Sequence, residues 1–247
     1  MIAFIHIGKT GGTTINKLLE KMKNYKQYHH NKDYNNNEKY IIWLRNPISR
    51  FVSAFNHSYY SVHVDVKSIK TFDLEHCLLP MRLKNSIGKP YVFSSKYDTL
   101  VKEFTNANHL AESLTSDDAI IKNNAIDLMN SSEEHLYKGI GWYLNNGKFV
   151  ENRHANILFV GKIESMAEDI KNLSKKLNID IEMNENLKLR ENVYIDKPMK
   201  YLSPLAIKNL IEWYNNTDYA ALKQLLKYGF ITEELFASYN TYTYNNE

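Results

Sequence analysis

The sequence predicts an α/β fold with a central parallel β-sheet flanked by helices. Two short apolar runs of strand length, residues 3–7 and 40–44, each stop at a loop that leads into helically spaced apolar residues. The first sixty residues read strand, helix, strand, strand, helix, and right-handed crossovers make such an order a parallel sheet. Ligands of such sheets sit off the carboxyl ends of the strands. The loops after both apolar runs are therefore expected to face one crevice.

Each element has its own reason. Residues 3–7 form a buried strand that breaks into the glycines of FIHIGKTGGTT, residues 4–14. Residues 13–23 follow as a helix, with Ile15, Leu18, Leu19 and Met22 on one side. YKQYHH (25–30) is a short strand, NKDYNNNEK (31–39) a polar loop and YIIWL (40–44) the next strand. Pro47 suits the first turn of a helix whose apolar stripe is Phe51, Val52, Phe55 and Tyr59. Residues 60–150 are less regular, with helices expected over 97–115, 117–129 and 132–144. ANILFVG (155–161) is a strand, and over 164–179 Met166, Ile170, Leu173 and Leu177 share a helix face. Residues 183–200 read as an extended charged loop. Ser203 caps a helix over 203–216 with Pro204 at its first position, and 217–226 starts another that ends near Gly229. One domain is expected over 1–247, with a variable, mainly helical region at about 60–150.

Composition removes several classes of function. Hydrophobic residues make up 43% of the 247, enough for a core. A net charge of +3 gives general nucleic-acid binding little support. The single cysteine, Cys77, excludes an internal disulfide framework, argues against a cysteine metal site and reads as a small buried hydrophobe. The first apolar run is interrupted at Lys9, unlike a secretion signal, and no stretch approaches the ~20 apolar residues of a membrane span. These features predict a soluble chain. The expected location is the cytoplasm of a microbial or virus-infected cell, and the richness in Asn, Lys and Tyr reads as nucleotide bias of the source genome.

The loop after the first strand has the makings of an anion cradle. Glycine lets backbone N–H groups come close to a ligand and allows positive φ. A helix N-terminus adds unpaired N–H donors and partial positive charge. Thr13 and Thr14 add hydroxyls, and Lys9 adds a mobile charge. The plainer reading is a tight strand-to-helix turn capped by threonine. The loop departs from the kinase motif G-x-x-x-x-G-K-[ST]: Ala3 stands at the first glycine, and Gly11 and Gly12 follow the lysine instead. A second phrase, WLRNPISRFVSAFNH (43–57), places Arg45 at a strand end and Ser53 a little over two helical turns later. A guanidinium and a hydroxyl suit a phosphate dianion. Arg50 is expected to pair with an acid and fix the turn. Trp43, Trp142 and Trp213 lie in apolar patterns and read as core before sugar or adenine platforms. Two anion sites in one crevice suit a ligand with two separated anionic ends.

The two phrases resemble the nucleotide motifs of sulfotransferases that use 3′-phosphoadenosine 5′-phosphosulfate (PAPS). FIHIGKTGGTT is similar to their 5′-phosphosulfate loop, and WLRNPISRFVSAFNH to their 3′-phosphate motif. The wording of KTGGTT and LR-x-P-x-S-R-x-x-S is nearest the heparan sulfate 6-O-sulfotransferase branch, although Asn46 stands where that branch usually has Asp. The likeness is good over 1–60, fair over 155–228 and poor over 60–150. It implies a P-loop-like three-layer sandwich and a PAPS-dependent O-sulfotransferase. The implied acceptor is a hydroxyl of an oligo- or polysaccharide, met by the region 60–150. It implies that Lys9, Thr10, Gly11, Gly12, Thr13 and Thr14 hold the 5′-phosphosulfate. Arg45 and Ser53 would hold the 3′-phosphate, and a late basic loop with Arg190, Lys197 and Lys200 would cover the nucleotide.

Sulfuryl transfer is an in-line displacement, so positioning and charge stabilisation supply most of the catalysis, as in phosphoryl transfer. Lys9 is the expected stabiliser of the leaving oxygens. A base must take the acceptor proton, and histidine suits neutral pH. His30 is the first candidate and His29 the second, because the heparan sulfate enzymes carry their histidine between the two motifs. His57 is a lesser candidate, and His135 reads as structural or acceptor-facing. No metal is required, and the second product is 3′-phosphoadenosine 5′-phosphate. Two other classes make different predictions. A P-loop kinase binds ATP with magnesium; the missing first glycine counts against it. A non-catalytic nucleotide- or glycan-binding module binds without turnover; Lys9 and a candidate base count against it.

Overall fold

The computed structural model describes residues 1–29, 35, 37–63, 96–132, 135–179 and 200–242. In chain order their elements are β1 (Ile2–Ile5), α1 (Gly12–Leu19), β2 (Tyr25–Tyr28), β3 (Lys39–Leu44), α2 (Pro47–His63), α3 (Lys96–Glu103), α4 (Ala107–Ser113) and α5 (Ala119–Asn130). There follow α6 (Ile140–Tyr143), α7 (Lys148–Arg153), β4 (Ile157–Lys162), α8 (Met166–Leu177), α9 (Pro204–Tyr214), α10 (Asp218–Lys227) and α11 (Glu233–Ser238). The described residues fall into two compact units. One holds 1–50, 138–179 and 210–242, and the other holds the remainder.

The first unit carries the sheet. Its order is β2–β1–β3–β4, and every neighbouring pair is parallel. Ile2 stands opposite Tyr25 on one side and Lys39 on the other, and Ile5 opposite Tyr28 and Ile42. The chain leaves β1 towards one edge and returns at β3 on the other side. The gap beyond the carboxyl ends of β1 and β3 is therefore a topological switch point. Both faces of the sheet are covered. On one, Phe4, Ile41 and Trp43 pack with Ile15 and Leu19 of α1 and Ile170 and Leu173 of α8. On the other, Tyr40 meets Phe149 of α7 edge-on at 5.0 Å. Two-sided burial explains why β3 reads as an unbroken apolar run rather than an alternating one. This is the expected α/β sandwich, and Trp43 is core, as its pattern implied.

The second unit is helical among its described residues. Ser58 Oγ and Tyr97 Oη share a buried hydrogen bond of 2.6 Å, joining α2 to α3. Asn209 Nδ2 donates to the Ala111 carbonyl and to Thr115 Oγ1, both at 2.9 Å. Ser203 Oγ donates to Glu112 at 2.6 Å and accepts from the Ala206 N–H, which is the serine cap expected at the start of α9.

Several expectations shift. The helix expected over 97–115 is two helices, because Asn106 takes an extended conformation and its side chain caps α4 through the His109 N–H. The helix expected over 132–144 contracts to α6. Gly139 is extended, and a Cβ on Gly141 would overlap the Thr217 backbone, so this stretch packs by its main chain. Neither α7 nor α11 was expected. Of the loop expected over 183–200, only Lys200 lies among the described residues, and Cys77 lies outside them. Among the described residues no helix is long and apolar enough to cross a membrane.

Candidate active site

The candidate site lies in the first unit, at the carboxyl ends of β1 and β3. The chain leaves β1 at Ile5 and turns at Gly8–Gly11 into α1. Lys9 and Gly11 both adopt the left-handed conformation, with φ of 69° and 80°. That is free for glycine and costs lysine about 1–2 kcal/mol, so the turn holds strain at the residue that carries the charge. Thr10 is fully buried, and its hydroxyl donates to the Ile7 carbonyl at 2.9 Å. That hydroxyl braces the loop from within. Gly11 is the N-cap of α1 and supplies no side-chain cap. Half-buried Thr13 and Thr14 stand in the first helical turn, beside the end where N–H donors gather.

Arg45 follows β3 and reaches the same loop. Its Nη1 donates to the Lys9 carbonyl oxygen at 3.2 Å. Burial pulls its pKa down, while Glu164, Tyr242 and Tyr239 pull it back up. A guanidinium keeps its charge through such shifts and has five donors in a fixed fork, so one bond to Lys9 leaves capacity for an anion. Asn46 begins α2. Its Oδ1 accepts the N–H groups of Ile48 at 2.9 Å and Ser49 at 3.1 Å, with Pro47 between them at the first helical position. Its own N–H donates to Glu164 Oε1 at 2.7 Å.

Arg50 does the job expected of it. It is fully buried, its Nε lies 3.7 Å from Asp218 Oδ2, and its Nη1 donates to the Lys138 carbonyl at 3.3 Å. Asp218 Oδ1 accepts the Gly141 N–H at 2.9 Å. Burial pushes the Asp218 carboxyl up, against the pull of Arg50 and the Gly141 and Ile140 amides.

A further histidine, His6, joins the loop. His6 directly follows β1, and a Cβ on Gly12 would overlap its ring. Gln27 Nε2 and His6 Nδ1 are 2.5 Å apart, within hydrogen-bond reach. The ring stacks on Phe4 at 5.7 Å and lies 4.9 Å from that of His29, which is exposed just past β2. The available signal was an imidazole inside an otherwise apolar run. Glu164 and Tyr239, both near Arg45, carry no local signal at all.

The remaining candidates fall outside the described residues of the first unit. His30, Arg190 and Lys197 lie outside the described residues, and Lys200 is exposed. Ser53 is half-buried on α2, in the second unit. His57 and His135 stand edge to face at 5.4 Å in that unit. Among the described residues no three His, Cys, Asp or Glu gather as metal ligands. A strained Gly-Lys-Thr-Gly-Gly loop, a helix N-terminus and a fixed guanidinium make a cradle for anionic oxygens, with imidazoles at its edge.

Comparison with known proteins bears on the chemistry. The sequence model described as the Sulfotransferase family matches residues 1–228. No curated protein and no solved structure matches the chain.

Proposed function

Because the chain belongs to the sulfotransferase family, whose donor is PAPS, we propose that it transfers the sulfuryl group to a carbohydrate hydroxyl with a histidine as base. The 5′-phosphosulfate is assigned to Lys9, the main chain of Thr10, Gly11 and Gly12, and the hydroxyls of Thr13 and Thr14. Arg45 and Ser53 take the 3′-phosphate, and Arg190 covers the nucleotide. The observation that carries this assignment is the bond from Arg45 to the Lys9 carbonyl, which joins both phosphate motifs in one corner.

The acceptor oxygen attacks sulfur as the bridging oxygen of the 5′-phosphate leaves. The Lys9 ammonium and the α1 amides meet the charge that develops there, and each such preorganised donor is worth about 3–4 kcal/mol. His30, or failing it His29, accepts the acceptor proton. The contact of His29 with His6, whose ring lies against Gly12, supports a base in this interval. The carbohydrate acceptor and the 6-O branch rest on motif wording, and region 60–150 is assigned to acceptor contacts because that is where family members differ.

Calorimetric titration with 3′-phosphoadenosine 5′-phosphate and with ADP, without metal, tests the reading in wild type and Arg45→Ala. A strong preference for the 3′-phosphorylated ligand, lost in the variant, is expected. Equal binding of ADP, or binding only with magnesium, sinks it.

A further inference from the structure

The family match ends at residue 228, yet the chain beyond it returns to the Arg45 corner. Helix α11 is capped by Thr232, whose hydroxyl accepts the Leu235 N–H, and it delivers Tyr239 to a buried position. The Tyr239 carbonyl accepts from Tyr219 Oη at 2.6 Å. The Tyr239 hydroxyl donates to Glu164 Oε2 at 3.1 Å. The other oxygen of that carboxylate takes the Asn46 N–H. Asn46 Nδ2 then donates to the Thr241 carbonyl at 3.0 Å. The result is a closed circuit, Asn46 to Glu164 to Tyr239 to Thr241 and back to Asn46, fastened to the residue next to Arg45.

The circuit ties the C-terminal segment to the residue that follows Arg45. Asn46 serves two partners at once: its oxygen caps α2, and its amide nitrogen ties down the C-terminal segment. The Glu164 carboxylate also offsets the burial of Arg45. A fork that must meet phosphate in one orientation gains from being held before the ligand arrives.

We propose that the C-terminal segment 239–242 is a working part of the nucleotide site, setting the Arg45 guanidinium for the 3′-phosphate. Asn46, Glu164 and Tyr239 act as its positioning residues. The inference rests on the sulfotransferase reading with Arg45 as 3′-phosphate ligand.

Two uncharged substitutions test it. Tyr239→Phe removes one hydroxyl, and Asn46→Ser keeps a capping oxygen but loses the amide that holds Thr241. Dissociation constants are measured for 3′-phosphoadenosine 5′-phosphate and for AMP, whose ratio isolates the 3′-phosphate. In each variant the ratio is expected to fall about tenfold, with AMP affinity changed less than about twofold. An intact ratio in both variants, with only a lower melting temperature, overturns the inference and leaves the parent reading standing. A wild-type ratio near one removes the parent reading and the inference with it. Hydrogen exchange of the 239–242 amides in wild type covers the case of variants that do not fold. Slower exchange with the bisphosphate than with AMP, both saturating, supports the proposal, and equal exchange overturns it.

Discussion

Arg45 Nη1 donates to the carbonyl oxygen of Lys9 at 3.2 Å, across 36 residues of chain. The contact forms because β1 and β3 are parallel neighbours, so the loops that follow them leave the sheet side by side. Arg45→Lys keeps the charge and loses the planar fork. Affinity for 3′-phosphoadenosine 5′-phosphate is expected to drop about tenfold to a hundredfold, with AMP binding little changed. Calorimetry on both ligands reads this directly.

Lys9 is a non-glycine residue at φ 69°, so its side chain is kept at the cost of backbone strain. Lys9→Gly should raise the melting temperature slightly, by relieving about 1 kcal/mol, and lower kcat by about two to three orders of magnitude. Thermal melts and PAPS turnover measured on one preparation separate the two effects. A variant that is less stable and fully active contradicts the role given to Lys9.

Gly12 has no room for a methyl group because the His6 ring fills that space. Gly12→Ala should abolish nucleotide binding, and pairing it with His6→Ala should restore part of it. A double mutant no better than Gly12→Ala would show that the steric account of the loop is incomplete.

The Arg50–Asp218 pair is buried, so its breakage leaves a charge with no solvent to meet it. Asp218→Asn keeps an oxygen for the Gly141 N–H and removes the countercharge. A loss of about 3–5 kcal/mol is expected in denaturant unfolding. The replacement should therefore cost far more than an exposed Asp-to-Asn change.

Burial raises the phenol pKa values of Tyr40, Tyr214, Tyr219 and Tyr239 above the ordinary 10.0. Above pH 10 the unfolded chain loses these protons while the folded chain keeps them. Stability is then fully present below pH 10 and lost as pH rises beyond it, by about 1.4 kcal/mol per tyrosine per pH unit. Urea unfolding at pH 9 and 11 should show the difference, with ultraviolet absorbance reporting extra phenolate as unfolding releases the buried tyrosines.

Much of the first unit was legible in the chain. β1, β3 and β4 are short apolar runs bounded by breakers, and α8 and α10 carry helical stripes, so local pattern and burial agree. Less was legible over 97–144, where breaks fall at Asn106 and Gly139. Those breaks answer to capping and to close backbone packing, neither of which periodicity records. Helix α11 escaped notice because it is short and buries none of its own residues.

By itself the sequence determined the α/β class and Arg50 as the partner of an acid, and it marked out the glycine loop and Arg45 for the anion-binding role proposed above. These follow from residue chemistry at short range: glycine spacing, strand-length apolar runs and a charge beside a proline. Only the tertiary structure decided which acid pairs with Arg50. It also decided that His6 lies on Gly12, and that Glu164 and Tyr239 fasten the corner beside Arg45. The partners of Arg50, Asn46 and Tyr239 lie tens to hundreds of residues away, and strand order and helix packing, rather than neighbouring sequence, bring them together.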